Sequence, residues 1–468
     1  MQRAWHFVHG SDDGVPGYFI CNGLERLIRF LQVPRRHVIM AIDRSSFQKR
    51  GPAYTSLGCQ IKCVRDDQSS VTLTLHYLRD GRCNLRWSIK KQEFLVPVVL
   101  ILKALKNTSD REIYEQLIRG DNNNTFLSDR LELLLKETKA MHLTTRAECL
   151  AYLGARFRIM LDVPERMSDV EAGEVLLNRY ILVHLKSNEE KFVLLLEMIH
   201  KLYSLANDEI SPDNPDSLMS HEILLGGHFM TYFLKEKLWE YLLGIRAAMM
   251  KDIRTDPTKV DLFDTGYLKK AMERQADIGK KVYYFLATGN VISSTGLDLM
   301  QVAGYTIVAE KLNHWRYLSH FRSVHRGQFF TEMKTTAPRK LLPESWGFLC
   351  CVHTPDGAPC GLLNHLCAGA KITTEPVAAP QLRAACLSLG MAPVFTNDGA
   401  APLIYGTQYI PVFFNGALIG RVYRDDATTF CNQLRMWKLE NGPIPACTEI
   451  VFIHPEEQTG GPSPAVYL

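Results

Sequence analysis

The pattern of apolar residues changes from strand-like to helix-like at about residue 94, and this change most limits the possible folds. Residues 71–77 (VTLTLHY) and 83–89 (CNLRWSI) alternate around a turn at Arg79-Asp80-Gly81, which predicts a β-hairpin. From about 94 to 250 the apolar residues follow helical spacing, and from about 371 short apolar runs alternate with Gly, Pro and Asn. Strands and helices segregated in this way predict an α+β fold in several modules, without the βαβ alternation of a doubly wound parallel sheet.

Two capping boxes mark helix starts within the helical part of the chain. They are Ser109-Asp-Arg-Glu112 and Thr145-Arg-Ala-Glu148, in which the hydroxyl and the carboxylate can satisfy each other's free backbone N–H groups. Gly120 is placed to end the first of these helices. Residues 190–206 and 223–250 carry apolar side chains at helical spacing, which predicts two further helices.

Length and composition exclude several classes of protein. A chain of 468 residues with 46% hydrophobic and 22% charged residues is typical of about three globular domains and argues against disorder. The apolar run Phe94–Leu102 is far shorter than the ~20 residues that span a bilayer, so no membrane association is expected. Twelve cysteines in this length are too sparse for a disulfide scaffold, and we expect reduced thiols in an intracellular setting.

Positive charge is concentrated in residues 311–340, called the basic segment below. It contains seven Lys or Arg and only Glu332 as an acidic residue, a net charge of +6, whereas the whole chain carries +4 and the remainder therefore −2. Aromatic residues are interleaved with these charges. Such a segment can follow a phosphate backbone electrostatically and stack on bases.

The same pattern is also typical of a solvated basic face, or of a patch that binds protein partners. If residues 313–324 are helical, Arg316 and His320 share one face, which would be polar, while Tyr317 and Phe321 share the neighbouring one and could pack inward.

A turn-dense motif follows at residues 339–365. Thr354-Pro355-Asp356-Gly357 places Pro and Gly where a tight turn favours them, and 359–361 (PCG) predicts another turn. Rigid loops that carry His and Asp are typical of the rim of an active site.

Three local chemistries can be compared with the residues of this motif. A zinc site is disfavoured because Cys350, Cys351, Cys360 and Cys367 contain no Cys-x2-Cys pair. A zinc deaminase needs His-x-Glu, but the sequence reads His353-Thr-Pro. A cysteine nucleophile activated by His353 lacks an orienting third group. Elsewhere, Cys59 and Cys63 have Cys-x3-Cys spacing but no second pair, which favours buried thiols over a zinc site.

The motif resembles the signature of the second-largest (β-like) subunit of multisubunit DNA-dependent RNA polymerases. The wording VHTPDG with GLLNHL, within residues 346–366, is similar to the nuclear RNA polymerase I form, whereas polymerase II and bacterial forms have ETPEG there. Further segments agree in order: 17–23 (GYFICNG) resembles the protrusion domain, and 286–290 (LATGN), 319–322 (SHFR) and 339–342 (RKLL) resemble the fork domain. The resemblance covers nearly the whole chain.

The resemblance implies an α+β, multidomain second-largest-subunit fold with protrusion, lobe, fork and external modules. The implied modules are 1–93 as a β-rich first protrusion segment, 94–230 as a mostly helical lobe, 231–281 as a second protrusion segment, 282–365 as the fork, and 366–468 as a truncated polymerase I-specific external domain.

The resemblance also implies two groups of site residues. The candidate nucleic-acid contacts are the basic residues Arg316, Arg322, Arg326, Lys334, Arg339 and Lys340. The candidate fork-loop and nucleotide-entry residues are Thr288, Gly289, Asn290, His353, Thr354, Pro355 and Asp356. Two positions depart from the family: Cys351 replaces a usual proline, so its loop should be less pre-organised, and His353 replaces the glutamate of other polymerase classes, so no carboxylate role carries over.

The implied function is that of a subunit of DNA-directed RNA polymerase I, a nucleotidyltransferase that makes ribosomal RNA from NTPs in the nucleolus of the nucleus. Implied partners are the largest polymerase I subunit, other core subunits, the DNA template, the RNA–DNA hybrid and NTPs. Mg²⁺ is implied only for the whole polymerase, because the family's later acidic segment and zinc-binding cysteines have no counterpart in this sequence. We therefore expect no metal ligands and no catalytic residue in this chain, and no activity from it alone.

Two alternatives remain open at this point. One is a truncated, non-catalytic module for nucleic-acid binding or assembly, and the other is the corresponding subunit of polymerase II or III. The VHTPDG and GLLNHL motifs argue against the polymerase II or III subunit.

Overall fold

The computed structural model describes residues 17–90, 92–256, 260–295, 297, 299, 302–373, 379–395, 408–455 and 460–468. These residues form two compact units, and both units are discontinuous in sequence. Unit 1 contains residues up to Pro34 together with Asp216–Ala370, and unit 2 contains Arg35–Pro215 together with Lys371–Leu468.

The strands are β1 (Phe19–Cys21), β2 (Leu24–Ile28), β3 (Phe30–Pro34), β4 (Met40–Asp43), β5 (Tyr54–Val64), β6 (Ser70–Leu78), β7 (Cys83–Ile89), β8 (Gln92–Pro97), β9 (His221–Leu224), β10 (Thr306–Val308), β11 (Ser323–His325), β12 (Leu363–His365), β13 (Ala392–Pro393), β14 (Tyr409–Phe414), β15 (Ala417–Tyr423), β16 (Val451–Ile453) and β17 (Ala465–Tyr467).

The α-helices are α1 (Val98–Leu105), α2 (Asp110–Ile118), α3 (Thr125–Ala140), α4 (Arg146–Leu161), α5 (Asp169–Tyr180), α6 (Asn188–Ala206), α7 (Gly226–Thr255), α8 (Thr265–Glu273), α9 (Ile278–Thr288), α10 (His314–Phe321), α11 (Gln328–Thr331), α12 (Ala379–Ser388) and α13 (Ala427–Leu439). Short 3₁₀ turns occupy Ser45–Arg50, Leu218–Ser220, Ala337–Arg339 and Pro343–Ser345.

Unit 2 is built on an antiparallel meander of β4 to β8 in sequence order. The predicted hairpin is confirmed: β6 pairs with β7 in a register that places Thr74 opposite Arg86 and Tyr77 opposite Cys83. The inward side chains of both strands are buried, as the alternation predicts, and Leu75 and Leu85 have no exposed surface. Cys59 and Cys63 on β5 are likewise fully buried, in agreement with buried thiols.

Capping residues and apolar spacing also predicted helices of unit 2. Thr145 and Glu148 form the complete capping box at the start of α4. At α2, Ser109 accepts a hydrogen bond from the Glu112 N–H, but the Glu112 carboxylate binds Lys106 and Thr108 instead of closing the box. The predicted helix over 190–206 is α6.

Helices α1 to α6 and the meander share one hydrophobic core. Trp87 of β7, Leu100 of α1 and Phe192 of α6 are all buried in it. Phe413 and Ala465 of the second unit 2 sheet, ordered β13-β15-β14-β17-β16, join the same core. The strands before residue 93 and the helices after it therefore bury their apolar faces against each other, across the predicted module boundary at 93/94.

Within the described residues, unit 1 contains a three-stranded sheet of order β1-β2-β10 and a four-stranded sheet of order β12-β11-β3-β9. Helices α7 and α9 pack beside them through Phe229, Phe233 and Phe285, which form the centre of its core. The predicted helix over 223–250 corresponds to α7, which begins after β9 and runs further, to Thr255.

Residues 313–324 of the basic segment are helical only in part. Helix α10 ends at Phe321, and residues 323–325 form β11, which pairs antiparallel with β12 and parallel with β3. Val324 lies opposite both Asn364 and Phe30 and has no exposed surface. A β-branched residue in a buried central strand gains packing that a helix extension would not supply.

Candidate nucleic-acid interface

The basic residues predicted to contact phosphate all lie in unit 1, but the structure gives them different surroundings. Arg316 is on α10, whose N-cap Asn313 accepts a hydrogen bond from the Arg316 N–H at 2.7 Å. The Arg316 Nε donates to Glu310 at 2.9 Å, and the side chain remains 39% exposed. This guanidinium is therefore paired on one side and open to solvent on the other.

Arg322 and Arg339 hold the turn-dense motif in place. The Arg322 guanidinium donates to the carbonyl oxygens of Leu366 and Cys367. Arg339 donates to the carbonyls of Ala358 and Cys360 at 2.6 and 2.9 Å. Because five N–H donors are available on each guanidinium, these contacts fix the loop while leaving donors for a further anion.

Arg326 is the only buried residue among the six predicted phosphate contacts. It is only 7% exposed, and its Nη2 donates to Asp216 at 2.6 Å while its Nη1 lies 3.1 Å from His221. The guanidinium also stacks over the Phe330 ring. Burial lowers its pKa, and Asp216 opposes that shift. A cation held in this way would have to break its ion pair to reach a phosphate, so its position does not support the predicted contact.

Lys334 and Lys340 are predicted contacts that the structure leaves exposed. Both side chains are exposed, and among the described residues neither forms an ion pair within 4 Å. Lys311, also in the basic segment, is instead paired with Glu25 at 2.6 Å. The charges of Lys334 and Lys340 are therefore not compensated by a neighbouring carboxylate of the described residues, and they can attract a polyanion.

The aromatic residues of the basic segment separate into two groups. Trp315 is 79% exposed and Phe329 is 45% exposed, so their rings are open for stacking. Tyr317 and Phe321 contact each other at 5.2 Å in an edge-to-face arrangement, and Phe321 is buried. Their inward packing agrees with the prediction. On the neighbouring face of α10, which was predicted to be polar and exposed, Arg316 is partly exposed but His320 is buried.

The loop formed by residues 352–361, called the signature loop below, presents His353 on its surface. The His353 ring stacks on His365, with ring centroids 3.6 Å apart and planes 3° from parallel. Burial, the neighbouring His353 and nearby Arg316 and Arg29 lower the pKa of His365 to about 4, so its ring is neutral at physiological pH. The stack fixes the orientation of an imidazole that can donate or accept a hydrogen bond.

Thr354 ties the signature loop to β12. Its Oγ1 donates to the Leu363 carbonyl at 2.8 Å and accepts from the Gly361 N–H at 3.0 Å. Pro355 is half-buried and Asp356 is exposed beside them. The hydrogen-bonded turn runs from the Gly357 carbonyl to the Cys360 N–H at 3.1 Å, after the predicted turn at 354–357.

The other predicted loop begins at the end of α9. Gly289 caps the helix with a positive φ of 74°, and a Cβ there would meet the Thr306 backbone nitrogen at 3.0 Å. Thr288 is exposed, and its Oγ1 accepts from the Asn290 N–H at 3.2 Å. Residues 288–290 therefore form a tight exit from α9 with side chains that reach solvent at Thr288 and partly at Asn290.

Sequence reasoning missed Arg29 and His365 as members of this site. Arg29 follows β2, and burial together with the neighbouring Arg316 lowers its pKa to about 10. Its Nε is buried and has no hydrogen-bond partner among the residues that the structure describes. His365 belongs to the GLLNHL motif, which was a signal that could have identified it. No sequence pattern indicates that Arg29 lies beside residues almost three hundred positions later in the chain.

Two general findings concern metals and membranes. No group of three or more His, Cys, Asp or Glu side chains within the described ranges is arranged to hold a metal ion. No helix in the part of the chain that the structure describes is long and apolar enough to cross a membrane.

Comparison with protein-family models gives three matches in chain order. Residues 35–224 match RNA polymerase Rpb2, domain 2, and residues 307–372 match RNA polymerase Rpb2, domain 3. Residues 419–468 match the RNA polymerase I, Rpa2 specific domain. The second match contains the basic segment from Lys311 onward and the whole signature loop.

Curated relatives extend the likeness across the chain. The DNA-directed RNA polymerase I subunit RPA135 of Saccharomyces cerevisiae is 47% identical over 465 residues, which cover 98% of this chain and 38% of the relative. The probable DNA-directed RNA polymerase I subunit RPA2 of Schizosaccharomyces pombe is 47% identical, with coverages of 97% and 39%. The Homo sapiens DNA-directed RNA polymerase I subunit RPA2 is 42% identical, with coverages of 98% and 40%. The chain thus spans about two fifths of the length of these relatives.

The α+β units and the three matches define the class as the second-largest subunits of multisubunit DNA-directed RNA polymerases. Within that class, the chain belongs to the family of the second-largest subunit of RNA polymerase I. The predicted resemblance is confirmed, and the polymerase II or III alternative is not supported.

Proposed function

We propose that this chain serves DNA-directed RNA polymerase I in the nucleolus, where it contributes contacts to the template and the RNA–DNA hybrid and helps to assemble the core with the largest subunit. The observation that carries this proposal is the 42–47% identity to polymerase I subunits over 97–98% of the chain, which includes the polymerase I-specific domain.

The reaction of the whole polymerase is attack of the RNA 3′-hydroxyl on the α-phosphate of an NTP, with release of pyrophosphate. In this proposal Mg²⁺ belongs to the whole enzyme. The described residues of this chain do not fit a metal site, since they provide no cluster of three metal-binding side chains. The chain's own part is to bind and orient nucleic acid, and unit 1 supplies the groups for it.

Within unit 1 we assign phosphate contacts to the exposed or partly exposed basic residues. Lys334 and Lys340 are accessible, and Arg316, Arg322 and Arg339 keep free donors beside their intramolecular contacts. Residues 288–290 and 353–356 are assigned to the loops nearest the hybrid and the entering nucleotide. Protrusion and fork are assigned to unit 1, and lobe and external domain to unit 2.

The proposal is tested by changing the accessible lysines in the assembled polymerase. The double variant Lys334→Ala/Lys340→Ala should bind template less tightly and lower the slope of log affinity against log salt by about 0.7–0.9 for each lost phosphate contact. Equilibrium binding at several salt concentrations measures this slope.

The matched control is Lys136→Ala, which removes an exposed lysine of unit 2 that pairs with Glu132 and should leave the slope unchanged. An unaltered slope in the double variant would contradict the assignment of these lysines. Failure of the chain to co-purify with a largest polymerase subunit would instead favour a separate, non-catalytic binding or assembly module.

A further inference from the structure

A buried carboxylate on α7 gathers three consecutive residues of the loop that follows residues 288–290. Glu236 is 8% exposed. Its Oε1 accepts from the Ser293 hydroxyl at 2.7 Å, the Ser294 hydroxyl at 3.3 Å, and both the Thr295 N–H and hydroxyl at 3.0 and 2.7 Å. The partners are 57 to 59 positions away in sequence, so this arrangement is a tertiary contact and not a local turn.

The residues beside Glu236 support its ionised form. Lys237 is 3% exposed, and its Nζ lies 3.3 Å from Glu236 and 3.0 Å from Glu240. Glu240 in turn accepts from the Ser294 hydroxyl at 2.9 Å. Burial tends to raise the pKa of Glu236, but the hydrogen bonds from Ser293 and Thr295 and the charge of Lys237 outweigh it, so the pKa lies below its ordinary value.

The base of the same loop is closed by backbone hydrogen bonds. The Val291 N–H donates to the Val302 carbonyl at 2.7 Å, and the Tyr305 N–H donates to the Gly289 carbonyl at 3.2 Å. These bonds fix where the chain leaves and rejoins the body of unit 1. They do not fix the position of residues 293–295, which are held instead by hydrogen bonds to Glu236 and Glu240.

We propose that Glu236 is a positioning residue for this loop: it holds residues 293–295 against α7 and thereby sets where the loop meets the RNA–DNA hybrid. The inference rests on the proposed function, because it takes the loop to lie at the hybrid. A charged acceptor forms stronger hydrogen bonds than a neutral one, and a buried carboxylate without these donors would be costly to keep. Glu236 and the loop therefore stabilise each other's position.

The structural part of the proposal is measured by hydrogen exchange in the assembled polymerase. In Glu236→Ala, the Thr295 amide loses its acceptor and should exchange about tenfold faster or more. Glu236→Gln keeps one carbonyl oxygen and should give an intermediate rate. The control Asp252→Asn removes a carboxylate of the same helix that binds Arg274 and Tyr267 and should not change exchange at Thr295.

The functional part is measured on a preformed transcription bubble that carries 2-aminopurine at successive positions along the hybrid. Glu236→Ala should shift the position at which the probe fluoresces as an unstacked base, and Asp252→Asn should not. The loop-side variant Ser293→Ala/Thr295→Val removes two of the hydroxyl donors without changing α7, and it should reproduce part of the shift. Combining it with Glu236→Ala should add nothing beyond Glu236→Ala alone, because the two hydroxyl contacts that it removes are among those that Glu236→Ala already removes.

Two results would overturn the inference while leaving the proposed function intact. One is unchanged exchange at Thr295 in Glu236→Ala, and the other is faster exchange with the 2-aminopurine profile of the unaltered polymerase. If the unaltered chain does not enter a polymerase that binds the bubble, the proposed function itself fails, and the inference fails with it.

Discussion

Arg326 and Lys340 belong to the same basic segment but meet different environments. Arg326 is enclosed by Asp216, His221 and the Phe330 ring, whereas Lys340 extends into solvent. Their charges are equal, so any difference in effect between the two residues reports on burial and pairing. A buried charge that loses its partner is costly, while an exposed charge is hydrated in either case.

Arg326→Ala should therefore destabilise the chain by up to about 3 kcal/mol, at the lower end for buried pairs because Asp216 is 22% exposed. Lys340→Ala should change the free energy of unfolding by less than about 0.5 kcal/mol. Urea unfolding of the purified variants measures both. Equal stability of the two variants would mean that the Arg326–Asp216 pair does not contribute to folding.

The same residues show where sequence reasoning reaches its limit. Charge and aromatic content identified the basic segment, because they are properties of neighbouring residues. The pairing of Arg326 with Asp216 joins residues 110 positions apart, and no local pattern carries that information. The VHTPDG and GLLNHL motifs identified the family and the loop at 353–356. They could not distinguish the arginines that hold this loop in place from the lysines that face solvent.

At the scale of elements, strands and helices with local signals were predicted and those with distant partners were not. The hairpin of β6 and β7 and the cap of α4 depend on residues close in sequence. Strand β11 pairs with β3 and β12, which are far from it in sequence, so no local pattern distinguished it from a continuation of α10. A strand of three residues gains its stability from its neighbours and leaves little trace in its own composition.

The main sheet of unit 2 contains a histidine whose burial should make stability depend on pH. His76 on β6 has no exposed surface, and neither ring nitrogen has a hydrogen-bond partner within the described part of the chain. The ring packs edge-on against Phe47 and Tyr54. Burial, with a smaller contribution from Arg50 and Arg86, lowers its pKa to about 3. The folded chain therefore keeps this ring neutral where an unfolded chain, with a pKa near 6.5, takes up a proton.

Because the unfolded state binds the extra proton, the contribution of His76 to stability is fully present above about pH 6.5 and is lost as the pH falls towards 3. For one such group the slope approaches about 1.4 kcal/mol per pH unit. His76→Leu should reduce the loss of stability between pH 6.5 and 4.5, measured by urea unfolding at each pH. The surface variant His454→Gln serves as control, and an equal pH profile for His76→Leu and the unaltered chain would contradict this role.

At the scale of the whole molecule, the two units arise because the chain leaves the four-stranded sheet of unit 1 after β3 and returns to it at β9. Strand β3 ends at Pro34, and β9 begins at His221, which lies directly opposite Pro34 in an antiparallel register. All of residues 35–215 are therefore inserted between two neighbouring strands of one sheet. No composition change marks Pro34, since strands precede and follow it, and the predicted boundary near residue 93 instead followed the change from strand to helix.

This arrangement predicts that unit 1 can fold without unit 2. Opposite residues of antiparallel strands lie about 5 Å apart, so a flexible linker of about eight Gly and Ser residues can join Pro34 to Asp216 and keep the Arg326–Asp216 pair. A chain of residues 17–34, this linker and residues 216–370 keeps the core around Phe229, Phe233 and Phe285 intact. It should show a cooperative thermal transition by circular dichroism.

The complementary deletion should behave differently. Residues 35–215 alone lose Phe413 and Ala465, which belong to the same core as Trp87 and Phe192. Removing buried side chains of this size exposes apolar surface worth about 1.5–3 kcal/mol for a large residue, so this shorter chain should melt at a lower temperature than one that retains 371–468 through a linker. Equal melting temperatures would mean that residues 371–468 do not stabilise unit 2. For the linked unit 1, a non-cooperative transition would mean that its two segments need residues 35–215 to fold.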